Sequence, residues 1–345
     1  MDVILFLLKA GWDGLLEYLS LHVLTCLVPA LFIAGAISVF VSQAAVLKYF
    51  GPRANKALSY GVASVSGAIL AVCSCTVLPL FGGIYKRGAG LGPAIAFLYS
   101  GPAINVLAIV YTARLLGYDI GIARAVGAIV FSVVIGLIMA AIFQRGAAQA
   151  LEDEAFDALE TESDGKPSWK QLSYFAVLVG ILIFGASQQW IMAGILLIVL
   201  GFMLRRWFTA DELKLWMKET FRFFKLIIPW LLVGVFIAGI LKVIISESAM
   251  TAAVGGNTLF GNFIASLFGA LMYFATLTEV PILRAFLDLG MGKGPALALL
   301  LAGPALSLPN MLVLRNIMGW RKTLAYVMLV IVMATITGYL FGFIA

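Results

Sequence analysis

Charge is what this sequence has least of. Asp, Glu, Lys and Arg make up 12% of its residues, about half the share of a soluble globular domain. Hydrophobic residues make up 63%, which excludes a soluble fold. The chain holds one histidine and three cysteines. So small and odd a cysteine count excludes a disulfide scaffold, and with no Cys-x-x-Cys and no histidine pair there is no redox or haem signature. No dinucleotide or nucleotide-phosphate fingerprint is present either. We therefore expect no cofactor and no enzyme. No basic n-region with a cleavage site opens the sequence, so insertion directed by the first span is expected.

Long apolar runs fill the space that charge leaves. Runs of roughly 17 to 25 residues suffice to cross a bilayer, and about ten are present. They cover approximately 21–46, 58–82, 93–113, 121–143, 171–187, 190–204, 226–246, 259–283, 295–314 and 323–344. A strand-built barrel would alternate polar and apolar residues in short segments. The expected fold is thus an all-α, polytopic transmembrane bundle. The net charge is +6, despite an acidic stretch (Glu152, Asp153, Glu154, Asp157, Glu160, Glu162, Asp164). In a membrane protein such a surplus orients and anchors the chain, so the expected partners are the lipid bilayer and a small-molecule or ion substrate, not nucleic acid. A homo-oligomer is compatible with the sequence.

The segment Gly88–Asn105, GAGLGPAIAFLYSGPAIN, returns at Gly290–Ser307 as GMGKGPALALLLAGPALS. Two four-span repeats are therefore expected. The chain divides into an interfacial helix and the first repeat (1–145), an acidic cytoplasmic linker (146–170) of disordered composition, two connecting spans (171–207), and a second interfacial helix with the second repeat (208–345). The interfacial helices are inferred from the face Leu5, Leu8, Trp12, Leu15, Leu16 and Leu19 in the first, and from Leu213, Trp216, Met217, Phe221 and Phe224 opposite a basic face in the second. Thr209 and Glu212 have capping-box spacing at the second helix's start. Counting ten crossings makes the repeats parallel. If the second span of each copy is instead a re-entrant hairpin, they are inverted, and transporters use both arrangements.

Proline inside a helix deletes one hydrogen bond to the carbonyl four residues back. Pro79, Pro102, Pro281 and Pro304 would thereby free the carbonyls of Cys75, Leu98, Leu277 and Leu300. At membrane depth such carbonyls must be met by neighbours or line a cavity. Gly101 and Gly303 precede the second proline of each copy, and Asn105 and Asn310 follow it with amides able to bond a substrate or bridge helices. Cys73 and Cys75, flanking Ser74, project about 200° apart on a regular helix. They share a ligand only if the segment unwinds, in which case their thiolates would suit copper(I), zinc or a trivalent metalloid; ordinary packing is the plain alternative. Glu279 stands within an apolar run beside Thr276 and Thr278. A mid-membrane acid costs on the order of 2.5 to 3.5 kcal/mol to insert, so it marks a functional candidate, for proton coupling or cation binding.

CSCTVLPL, Cys73–Leu80, followed by GPAIAFLYSGPAIN resembles the YraQ/ArsP-like permease family over most of the chain. The resemblance implies a multi-pass permease of the bacterial inner membrane, in a family that includes proteins linked to export of organoarsenicals and others proposed to export copper or zinc. It implies that Cys73, Cys75 and Pro79 lie at the substrate path. The function expected is a secondary transporter, exporting a small soft-metal, metalloid or sulfur-containing solute by alternating access at broken helices with Glu279 coupling to protons. A channel, a thiol-dependent membrane redox protein and a membrane scaffold are the competing classes.

Overall fold

The computed structural model describes residues 2–19, 27–40, 55–70, 74–104, 106–143, 168–186, 189–244, 254–273 and 279–345. Among these every regular element is a helix, as it must be where lipid supplies no partner for a backbone amide. In order they are α1 (Asp2–Tyr18), α2 (Val28–Phe40), α3 (Lys56–Leu70), α4 (Ser74–Lys86), α5 (Leu91–Ala103), α6 (Val106–Leu116), α7 (Tyr118–Phe143), α8 (Ser168–Ala186), α9 (Trp190–Trp207), α10 (Ala210–Ile244), α11 (Leu259–Leu271), α12 (Glu279–Asp288), α13 (Lys293–Ala302), α14 (Leu308–Met318) and α15 (Trp320–Phe341). The acidic linker and His22 lie outside the described residues.

The described helices do not confirm ten spans. Four described helices are long and apolar enough to cross a membrane, namely α7, α9, most of α10, and α15; a fifth crossing results if α5 and α6, bent by 47° at their junction, act as one. Four of the long runs in the sequence are instead pairs of short helices. The run 58–82 is α3 and α4, 93–113 is α5 and α6, 259–283 is α11 and α12, and 295–314 is α13 and α14. Hydropathy reads across such breaks because the residues at them are themselves apolar.

Two of these pairs turn back on themselves. Before α11 and after α12, Gly255 and Met291 meet in an isolated antiparallel bridge, and the Gly292 amide donates to the Val254 carbonyl at 3.1 Å. The segment from α11 to α12 thus leaves and re-enters one end of the molecule. At the opposite end, Tyr60 near the start of α3 lies against Gly92 at the start of α5, five residues beyond the end of α4. The α3–α4 segment likewise starts and finishes at one end.

The centre is built from α5 and α13. Every residue of α5 is buried, as is α13 from Gly294 to Ala302. Small residues allow their neighbours in closely, as in other membrane interfaces. A Cβ placed on Gly136 of α7 would stand 2.6 Å from the Gly92 carbonyl, and one on Gly338 of α15 would stand 2.6 Å from the Gly294 carbonyl. Hydroxyls tie the neighbouring helices to α7 and α15: Ser64 of α3 to Ser132 of α7 at 2.9 Å, and Thr335 of α15 to Ser266 of α11 at 3.2 Å.

These contacts fix directions. Asp119, at the start of α7, pairs with Lys293 at 2.7 Å, whereas Gly136, late in α7, meets the start of α5. Lys322, early in α15, donates to the Tyr85 hydroxyl at 2.9 Å, whereas Asn257 donates to the carbonyl of Tyr339, late in α15, at 3.0 Å. So α7 runs from the Lys293 end to the Leu91 end, and α15 runs the other way.

The second amphipathic segment is not a separate rod. The capping box forms as its spacing predicts, with the Thr209 amide donating to Glu212 at 2.7 Å. The helix it opens continues through Pro229 into the membrane segment as one 35-residue element, α10. In α1, Leu5, Leu8, Trp12 and Leu16 are exposed, while the glycine face packs along α10, Gly11 against Phe236 and Gly14 against Gly239. In a chain whose three cysteines are replaced by serine, Lys56→Cys and Asp288→Cys should react with an impermeant maleimide from opposite sides of the membrane. Labelling of both from one side would overturn this arrangement.

Candidate functional site

Where the α11–α12 segment turns back, α12 begins with Glu279, and that carboxylate is buried, its side chain 2% exposed. It faces Arg124 of α7, whose side chain is fully buried. Arg124 donates from Nη2 to Glu279 Oε2 at 3.4 Å and from Nη1 to the Thr112 hydroxyl of α6 at 2.8 Å. Thr112 in turn donates to the Ala108 carbonyl at 2.7 Å. A buried charge in a bilayer is tolerated only against a partner, and this pair joins α6, α7 and α12.

The pair is looser than a close charge-assisted hydrogen bond, which spans roughly 2.7 to 2.9 Å. Arg124 Nε and Glu279 Oε1 have no hydrogen-bond partner among the described residues. Oε1 points at the end of α13, where a Cβ on Gly303 would stand 2.7 Å from it. The glycine of the Gly303–Pro304 pair thus makes room for the carboxylate. Two residues back, the Leu301 carbonyl accepts the Tyr99 hydroxyl of α5 at 2.8 Å, while Leu301 packs on Gly127, one turn beyond Arg124.

The residues singled out from sequence fall in several places. Pro79 lies inside α4 and Pro102 inside the last turn of α5, both buried. Pro281 stands in the first turn of α12, where an amide has no helical partner to lose, and is exposed. Pro304 follows the end of α13, capped by Gly303, whose amide donates to Leu299 at 2.8 Å. Gly101 is buried in α5. Asn310 is buried near the start of α14, its amide donating to the capping Ser307 hydroxyl at 3.4 Å, and its side-chain oxygen has no partner among the described residues. Ser74 and Cys75 are in the first turn of α4. Cys73, Asn105, Thr276 and Thr278 lie outside the described residues. Among those described, no cluster of three metal-ligating side chains occurs.

Of these residues the structure brings Glu279 and Gly303 together. Arg124 and Thr112 escaped the sequence reading, because an arginine three residues inside the run 121–143 reads as a charge at a span's margin. A signal was present. Arg124 shares a helical face with Gly121, Gly127, Ala128 and Phe131, all buried, and not with the exposed Ile122, Val126, Ile129 and Val130. Charge on a small-residue face belongs to the packed interior.

Apolar helices around a buried charge pair mark a multi-pass membrane protein. The family described as a predicted permease matches residues 11–343, and the chain belongs to it. It is 45% identical to the UPF0718 protein MJ0584 of Methanocaldococcus jannaschii, covering 100% of this chain and 98% of that protein. It is 23% identical to the UPF0718 protein YraQ of Escherichia coli, covering 88% of this chain and 74% of the other. No solved structure matches the chain. A permease description points to transport of a small molecule through the bilayer, not to catalysis.

Removing one partner of a buried ion pair costs about 3 to 5 kcal/mol, whereas replacing both with apolar residues is often neutral. Arg124→Leu and Glu279→Leu should each lower the thermal unfolding midpoint of the detergent-purified protein, and the double variant should recover most of the loss. Additive losses would show that the two side chains are not coupled.

Proposed function

We propose that this chain is a secondary transporter of the bacterial plasma membrane that exports a small soft-metal, metalloid or sulfur-containing solute by alternating access, with Glu279 carrying a proton. One observation carries the reading: the buried Arg124–Glu279 pair, 3.4 Å apart, sits where a segment that turns back meets the Gly303–Pro304 helix end. A buried carboxylate that can lose its cationic partner is the group a proton-coupled carrier requires.

The architecture proposed is two inverted copies. Helices α5, α6 and α7 begin at Leu91, Val106 and Tyr118, and α13, α14 and α15 begin 202 residues later at Lys293, Leu308 and Trp320. Gly92–Gly136 and Gly294–Gly338 are contacts at the same offset, and α7 and α15 run in opposite directions. Counting α2, the α5–α6 pair and α7 as three crossings, then α8 and α9 as two, starts the second copy on the other side. Inverted copies support alternating access because rocking of one against the other exchanges the side that is open.

The Leu91 end carries Lys86, Arg205, Arg206, Lys214, Lys218, Arg222, Arg321 and Lys322, and the excess of basic residues assigns it to the cytoplasm. The Cys73–Cys75 segment leads into α4, as Thr276–Thr278 leads into α12, which supports thiols in the substrate path.

The purified protein in liposomes should move a trivalent organoarsenical, copper(I) or thiosulfate against its gradient when a pH gradient is imposed. Glu279→Gln should abolish the response to pH while leaving exchange of solute across the membrane. Substrate should also slow alkylation of Cys73 and Cys75. Flux that is unsaturable and indifferent to pH would replace the carrier with a channel.

A further inference from the structure

The two unmatched atoms of the buried pair identify what it is built to hold. On a guanidinium, Nε and Nη2 form one edge of two parallel donors that matches two oxygens of one anion. In Arg124 that edge is half used. Nη2 reaches Glu279 Oε2 at 3.4 Å, Nε meets no acceptor among the described residues, and Glu279 Oε1 is turned toward Gly303 without a donor. The remaining amine group, Nη1, is held by Thr112 at 2.8 Å, so the edge is aimed and does not swing free. Among the described residues no other charged side chain is so deeply buried.

We propose that Arg124 is the substrate-binding residue and that the transported solute is a small oxyanion, of sulfur or of a metalloid, which takes the Nε–Nη2 edge in place of the Glu279 carboxylate. This rests on the permease reading and narrows its substrate class. Glu279 is then a tethered competitor: it neutralises Arg124 when no solute is bound, and on displacement it takes a proton, so that the buried site keeps its charge balance. Proton and anion occupy the site together and cross in one direction, so under this proposal an inward proton gradient drives uptake of the anion and not its export. The position of Glu279 in the first turn of α12 suits the exchange, because the helix's amino end stabilises the ionised carboxylate between cycles. Thr112 is a positioning residue that sets the angle of the edge.

Anion binding is read on the purified full-length protein by calorimetry and by thermal shift, with thiosulfate, sulfate and inorganic phosphate as probes and chloride as a single-atom control. At least one two-oxygen probe should bind the wild-type protein in preference to chloride. In Glu279→Gln the competitor's charge is gone and Arg124 is left unpaired, so that probe should bind about 10-fold more tightly and raise the unfolding midpoint further than in wild type. In Arg124→Lys the charge remains without the fork, and binding should weaken at least about 30-fold, as expected for loss of a buried charged hydrogen-bond partner, with the preference over chloride lost. Unaltered binding in Arg124→Lys, or no two-oxygen probe binding either wild type or Glu279→Gln, overturns the proposal. Should Arg124→Lys fail to fold, the comparison of wild type with Glu279→Gln decides alone, equal affinity counting against. Absence of anion binding alongside organoarsenical or copper flux in liposomes would refute the oxyanion and leave the permease standing.

Discussion

A guanidinium buried away from water has to be neutralised where it stands, and the centre of this molecule is arranged around that constraint. Arg124 is on a helix that lipid would accept as a simple span but for this one residue. Its charge demands a carboxylate at membrane depth, which demands in turn a segment that carries Glu279 into the bundle and returns. The α11–α12 segment is that device, pinned at its base by the Gly255–Met291 bridge. Gly303 leaves room for that carboxylate, since a Cβ there would stand 2.7 Å from Glu279 Oε1 and force it to shift. Three separated stretches of sequence are thus bound to one charge.

Packing supplies the precision that this pair needs. Bilayers offer no hydrophobic drive for helices to associate with one another, so close backbone approach has to hold them. The contacts of α5 with α7 and of α13 with α15 depend on glycines, buried hydroxyls join α3 to α7 and α11 to α15, and both central helices are buried. Tyr99 ties these two centres together through the Leu301 carbonyl. The two halves also meet through Asp119–Lys293, Tyr85–Lys322 and Lys86–Glu219, so several polar contacts join them, and the Arg124–Glu279 pair is the most deeply buried of these.

Much of the architecture was legible in the sequence. Helical class and membrane insertion follow from composition, since apolar runs in lipid can satisfy their amides only internally. The Gly-Pro blocks marked helix ends at Ala103 and Ala302, and the Thr209–Glu212 spacing marked the start of α10. Glu279 stood out because an acid in an apolar run has a known insertion cost. The number of crossings was not legible, because hydropathy counts apolar length and is blind to a chain that turns back. The second interfacial helix was read as separate from the run 226–246, yet α10 carries both as one helix through Pro229.

Arg124 marks the dividing line between the two kinds of knowledge. By itself the sequence determined that this chain is a helical, multi-pass membrane protein with a duplicated Gly-Pro block and an isolated acid, because those properties follow from local composition and from the hydrogen-bonding needs of each segment alone. Only the tertiary structure decided that the arginine near the start of α7 is the partner of that acid, 155 residues away along the chain, and that α7 and α15 run oppositely. Neither is encoded in any one segment. Both depend on which helices cross and in which direction, and a charge pair exists only once packing has brought its two halves within reach.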